Sequence, residues 1–319
     1  MNSDNPSAII AWTRRAPLCC TDRVIDTALA PAPRSSPLVG TSMAVGAMLS
    51  VQLGLGLSIG LADDIGPGGV TWLRLTAGGI VLLLIARPWT VRWSRSALTI
   101  CVLLGITTAA MTSLFMLAAT RIPLGTASAL EFSGPLAIAV WRGRGYGRLW
   151  AVSAAVGILL LSRPWEGAVD GLGVLFALLA GGCWAAYIVL TDRAGAVASG
   201  IRPLGISIPV AAVAASLVWG WSAVPRLDLG AVALGVGAAL LVPVLPFALE
   251  LLALRRLPSA TFSTLMSVEP AIAAGIGFLV LGQALLVPEL LGIALVVLSS
   301  IGAERTNRVR VEPAPVLAG

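Results

Sequence analysis

One stretch of this chain occurs twice. Residues 121–139 read RIPLGTASALEFSGPLAIA and residues 256–274 read RLPSATFSTLMSVEPAIAA, aligned without a gap at an offset of 135 residues. Arg121 falls on Arg256, Pro123 on Pro258, Thr126 on Thr261, Ser128 on Ser263 and Pro135 on Pro270. Apolar letters match by chance; an arginine, a threonine and two prolines in register do not. A long-period repeat of this kind marks a duplicated unit and constrains every later assignment. Each copy sets a proline and a carboxylate, Glu131 or Glu269, inside an apolar segment, where an ordinary buried helix has neither.

Around the two copies lie ten apolar runs joined by short loops: 38–61, 68–86, 97–119, 125–141, 148–162, 171–190, 203–223, 229–250, 259–281 and 286–303. A helix crossing a bilayer needs about 20 residues, and roughly 17 suffice. The alternation of a membrane barrel is absent. Composition agrees: 57% of residues are hydrophobic and 11% charged, against about 25% charged in soluble domains. The expected fold is an all-α membrane protein of ten transmembrane helices.

The 21 basic residues are all arginine, and histidine is absent. That removes histidine-based metal sites, triads and proton relays. With the N-terminus in the cytoplasm, the cytoplasmic segments hold Arg14, Arg15, Arg23 and Arg34, then Arg87, Arg92 and Arg95, then Arg142, Arg144 and Arg148. They continue with Arg193, Arg202, Arg255 and Arg256, and end with Arg305, Arg308 and Arg310. Only Arg121, Arg163 and Arg226 fall in the opposite loops, while Arg74 lies within the second run. This bias places both termini inside and calls for an even number of spans. The net charge of +6 is thus a loop property rather than a nucleic-acid footprint.

The chain divides into a polar tail (1–37), a first five-helix repeat (38–162), a second (163–303) and a short cytoplasmic tail (304–319). Thr13-Arg14-Arg15 opens like a twin-arginine export signal, but Cys19-Cys20-Thr21-Asp22-Arg23 stands where the apolar run is required. Met43 heads the first apolar run, which leaves open whether the preceding residues are translated. Cys19, Cys20, Cys101 and Cys183 form no metal or disulfide spacing. Because each repeat has an odd number of helices, the second enters the membrane inverted. Inverted repeats around a midplane site are a transporter architecture.

Four further motifs point to a family: Ser50-Val51-Gln52-Leu53-Gly54, residues 66–75 (GPGGVTWLRL), residues 130–136 (LEFSGPL) and residues 265–271 (LMSVEPA). Over residues 43–303 the chain resembles the drug/metabolite transporter superfamily with two EamA-type domains, and within it the threonine/homoserine exporter group. The resemblance implies a central cavity lined mainly by the first, third, fourth, sixth, eighth and ninth helices. It implies export of a small amino acid across the cytoplasmic membrane by proton antiport. Another metabolite or a drug on the same scaffold is the alternative.

The ionisable groups within the runs are Arg74, Glu131, Glu250 and Glu269. A charge at the bilayer centre costs about 2.5–3.5 kcal/mol on insertion scales, so each needs a cavity or a partner. At ~1.5 Å per residue, Glu131 lies roughly 9 Å into its span and Glu269 roughly 15 Å, approached from opposite sides. Both are candidates for proton coupling; the bland reading makes each a packing or hydrogen-bonding group beside its proline. Ser128, Glu131 and Pro135 share one face of a continuous helix, so Ser128 joins Glu131 as a substrate-binding candidate. Pro135 leaves the Glu131 carbonyl without a donor, and Pro135 and Pro270 are structural or gating candidates. Arg74 either meets a carboxylate or snorkels to the outer interface. Glu250 with Arg255 reads as an interfacial pair. Trp184 and Tyr187, Gln52, Thr108 and Thr112 are the remaining candidates for the binding wall. Gly56 and Gly60 read as close helix packing.

Neither a nucleophile–base pair nor a metal cluster is legible, so the chain does not read as an enzyme, and no cofactor is expected. No phosphate-binding glycine loop supports ATP drive. The expected partners are a small-molecule substrate, protons and the lipid bilayer.

Overall fold

The computed structural model describes residues 37–142, 147–162, 170–197, 202–254, 256–257 and 259–308. The sequence expectations for the tail up to Ser36 and for Arg255 lie outside these residues. All regular elements among them are helical. Helix α1 (Pro37–Ala86) is two arms joined at Gly66, whose φ of 79° and ψ of 155° are open to glycine alone without strain. Pro67 follows and cannot donate back into the first arm. The next helices are α2 (Arg95–Ala119), α3 (Leu124–Glu131), α4 (Ser133–Arg142), α5 (Gly147–Ser162) and α6 (Gly171–Val197). Then come α7 (Leu204–Ala215), extended by a π turn over Ser216–Gly220, and α8 (Leu229–Ala239), extended by a π turn over Leu240–Val244 into α9 (Leu245–Leu254). The chain closes with α10 (Ser259–Met266), α11 (Glu269–Leu281) and α12 (Val287–Arg308).

Five helical stretches are long and apolar enough to cross a membrane: Leu38–Thr90, Arg95–Ala119, Gly171–Thr191, Leu204–Arg226 and Thr264–Leu281. Shorter apolar helices cover Leu149–Leu161, Leu229–Val242 and Val287–Ala303. The surface is apolar and the interior holds polar groups. Leu217, Trp221 and Leu279 are more than three-quarters exposed, while Arg74, Gln52, Ser58, Thr71 and Thr108 are buried. A soluble domain distributes these residues the other way round. The fold is that of a multi-pass membrane protein.

The duplicated stretch is broken in both copies. Helix α3 ends at Glu131 and α10 at Met266, positions equivalent under the 135-residue offset, and a turn follows each. The cause is the same: Pro135 has no N–H for the Glu131 carbonyl, and Pro270 none for that of Met266. Backbone bonds from Phe132 N to Ser128 O (2.9 Å) and from Leu136 N to Phe132 O (3.2 Å) carry the chain through the first break. The broken helices cross their neighbours at contacts that leave no room for a side chain. A Cβ on Gly134 would run into the carbonyl oxygen of Gly181, and one on Gly181 would meet the Glu131 oxygen at 2.6 Å. On Gly125 it would meet Ala274 Cα at 2.7 Å, which seats α3 against α11.

Two helix pairs relate the halves directly. In α5 and α12, a Cβ on Gly157 would meet the Gly292 oxygen at 2.9 Å, and one on Gly292 would meet the Gly157 oxygen at 2.9 Å. Val296 closes on Gly157 and Leu161 on Gly292, and Trp150 covers Gly302. Residue numbers rise along one helix as they fall along the other, so the pair is antiparallel. Gly157 and Gly292 are 135 residues apart, as are Leu161 and Val296, so the contact maps onto itself under the repeat. The second arm of α1 and α7 meet likewise, with Gly69 on Ala223, Gly79 on Pro209 and Gly205 on Ala86.

The helix packing expected of Gly56 and Gly60 is half present. Gly56 lies against Ile276 and Val280, whereas Gly60 has nothing within 4 Å of the Cβ position and faces outward. At one helix end, Arg121 pairs with Asp170 at 2.9 Å, and Asp170 also accepts from the backbone of Leu172 and Gly173. The Arg121 hydrogen bond, helped by those amides, holds the Asp170 carboxyl below its ordinary range.

Candidate functional site

The helices enclose a cavity of about 730 Å³, within the usual size of a small-molecule site. Both arms of α1 contribute, through Gln52 and Arg74; α2 adds Thr108 and Thr112, and α6 adds Trp184 and Tyr187. The two breaks add Glu131, Phe132, Ser267 and Glu269, and α9 adds Glu250. A broken helix exposes irregular backbone and polar side chains at membrane depth, tolerable only where they line a cavity or are buried in protein.

Most of the residues singled out from the sequence converge here. Gln52 is 1% exposed, and its Nε2 donates to Glu269 Oε1 at 3.1 Å. That bond fixes the amide orientation and leaves Gln52 Oε1 buried without a partner. Thr108 and Thr112 donate to the carbonyls of Leu104 and Thr108, each at 2.8 Å, so their hydroxyl lone pairs remain open to a donor in the cavity. Trp184 stands edge-on to Phe132, with centroids 5.4 Å apart and planes at 89°, forming a rigid aromatic wall at the first break.

Arg74 does not snorkel. It is 4% exposed, lines the cavity, and its Nη1 donates to Ser58 Oγ at 3.3 Å; Ser58 in turn donates to the Gly54 carbonyl at 2.6 Å. The guanidinium is therefore held by the first arm of α1 instead of reaching the interface.

Two further expectations are corrected. Ser128 is 3% exposed and does not line the cavity. Ser128 and Glu131 lie in the same unbroken helix, where Ser128 is turned into the packing around α3, while Glu131 and, beyond the turn, Pro135 face the cavity. Glu250 lines the cavity, because α9 continues to Leu254 and carries it a turn inside the helix end, while its expected partner Arg255 lies outside the described residues. The missed signal was the apolar run Leu251-Leu252-Ala253-Leu254, which extends the span beyond the glutamate. Pro270 starts α11 and is buried without lining the cavity.

Three carboxylates and one guanidinium thus share one cavity with a few neutral polar groups and a wall that is otherwise apolar, with residues such as Val51, Met111 and Ile188. Among the described residues no His, Cys, Asp and Glu cluster could hold a metal ion.

A multi-pass helical membrane protein with broken helices around a charged central cavity defines a class, that of the membrane transporters. Residues 171–303 match the EamA-like transporter family. The threonine/homoserine exporter RhtA of Escherichia coli (strain K12) is 38% identical over 274 residues, covering 82% of this chain and 90% of that protein. RhtA of Salmonella typhimurium (strain LT2) matches to the same extent. A solved structure described as "Crystal structure of protein" shares the fold, with a TM-score of 0.57 at 17% identity over 85% of this chain and 98% of the other. The chain belongs to the EamA-like transporter family.

Proposed function

We propose that the protein is a secondary transporter that exports small amino acids of the threonine and homoserine kind across the cytoplasmic membrane in exchange for protons. The observation that carries this reading is the cavity in which Glu131 and Glu269, one at each helix break, stand with Arg74 and the hydroxyls of α2. The cavity belongs to a chain 38% identical to threonine/homoserine exporters over most of its length. A carboxylate inside the membrane suits proton exchange because it binds either a proton or a substrate ammonium, and outward passage of one requires inward passage of the other.

Alternating access follows from ten spans arranged as two inverted five-helix repeats. The antiparallel pairing of α5 with α12, and of the second α1 arm with α7, supports this arrangement. Two halves that meet through equivalent residues can rock about that contact and open the same cavity to either side in turn. The arginine distribution supports cytoplasmic termini.

The apolar share of the wall favours a second reading, export of a less polar metabolite or drug. Purified protein in vesicles loaded with labelled threonine or homoserine separates the two. Under the amino-acid reading, acidifying the side from which protons are taken up accelerates release, and a protonophore abolishes the acceleration. Release indifferent to the gradient overturns proton exchange, and absence of release of either amino acid favours the second reading.

A further inference from the structure

Arg74 and Glu131 carry opposite charges into the same cavity, yet they are not closed into an ion pair. Among the described residues the only salt bridge is Arg121–Asp170. Arg74 is held by Ser58 through Nη1, and it is the only described arginine lining the cavity. Glu269 is engaged by Gln52, whereas Glu131 lines the same cavity as Arg74 without a salt bridge to it. Depth agrees with this: each residue stands seven positions into its helical arm, Arg74 after Pro67 and Glu131 after Leu124. A buried guanidinium has five donors in a planar fork suited to a carboxylate, and leaving most of them without a charged acceptor in a low-dielectric wall is costly.

We infer that Arg74 and Glu131 together form a zwitterion receptor, in which the guanidinium takes the α-carboxylate of the substrate and the Glu131 carboxylate takes its ammonium group. The inference rests on the amino-acid reading and sharpens it: both charges on one α-carbon are required, so the site selects the α-amino-acid head group over amines, amino alcohols and organic acids. Side-chain recognition falls to the remaining wall, where the hydroxyls of Thr108 and Thr112 are free to accept a hydrogen bond. This arrangement also explains why the two groups stay apart. A direct Arg74–Glu131 pair would occupy the site with its own counter-charge, whereas the separated pair is completed by the ligand.

The test is counterflow of labelled threonine in reconstituted vesicles, with three competitors: unlabelled threonine, the amino alcohol in which CH₂OH replaces its carboxylate, and N-acetylthreonine. Wild-type protein should discriminate against each one-charge competitor by roughly tenfold or more, the range for losing a hydrogen bond to a charged group. Arg74→Lys should raise the KM for threonine with little change in maximal rate, since it keeps a positive charge but loses the fork. Arg74→Gln should erase the preference for threonine over the amino alcohol. If Arg74→Gln fails to reach the membrane, the wild-type competition and Arg74→Lys decide. Equal competition by threonine and its amino alcohol in the wild type, or a wild-type KM in Arg74→Lys, overturns the zwitterion receptor while leaving amino-acid export standing. Failure of the wild type to carry any α-amino acid overturns both.

Discussion

Ser128 and Glu131 are three residues apart on the same short helix, and the packing around that helix separates their surroundings. The Ser128 hydroxyl is sealed among packed helices, while the Glu131 carboxylate faces the cavity. Ser128→Ala should therefore leave the KM for exported substrate within about twofold of wild type, and any cost should appear in thermal stability instead. Measured KM and melting temperature in detergent check this; a KM raised tenfold with unchanged stability would return Ser128 to the binding wall. The charged residues were legible from sequence because a charge within an apolar run is expensive wherever it points. Whether a hydroxyl on the same helix faces a cavity depends on which neighbours pack against it, which helical spacing does not report. Arg74 illustrates the same limit from the other side. Its depth is readable from its position after Pro67, but its direction is set by Ser58, sixteen residues earlier across the Gly66 bend.

At the scale of elements, the breaks in the duplicated stretch depend on glycines that admit backbone against backbone. Gly134 and Gly182 lie in neighbouring helices of similar composition but differ in what a methyl group would meet. At Gly134 it runs into the Gly181 carbonyl; at Gly182 nothing lies within 4 Å. Gly134→Ala should destabilise the protein by about 1–3 kcal/mol, as overpacking does. Gly182→Ala should be neutral or stabilising, by up to ~1 kcal/mol from helix propensity. Melting curves of the two purified variants give the comparison, and equal stability would mean that α4 and α6 do not meet as described. The position of each break could be read from Pro135 and Pro270. The π turn within 216–220 could not, because that stretch carries no proline, whereas Pro243 stands inside the one at 240–244. The second of these turns is held from another helix, by Ser50 Oγ donating to the Leu241 carbonyl at 2.6 Å, a contact between residues nearly two hundred positions apart.

For the whole molecule, the duplication is the feature from which most of the architecture follows. It gives the equivalence of α3 with α10 and the self-matching contact of Gly157 with Gly292, whereas the two glutamates are not equivalent under the offset, Glu131 falling on Met266 and Glu269 on Gly134. The gathering of all these groups around one cavity depends on long-range packing that no local pattern encodes. The central claim is that protons and amino acid move in opposite directions through this cavity by way of Glu131. Its most direct measurement uses vesicles at equal pH on both sides, with a pH-reporting dye inside. A threonine gradient is imposed, and wild-type protein is compared with Glu131→Gln, which keeps the side-chain shape and removes the titratable group. The account predicts that threonine movement through the wild type drives a counter-movement of protons, and that Glu131→Gln, inserted at the same level, gives none. A wild-type pH signal from Glu131→Gln would contradict it.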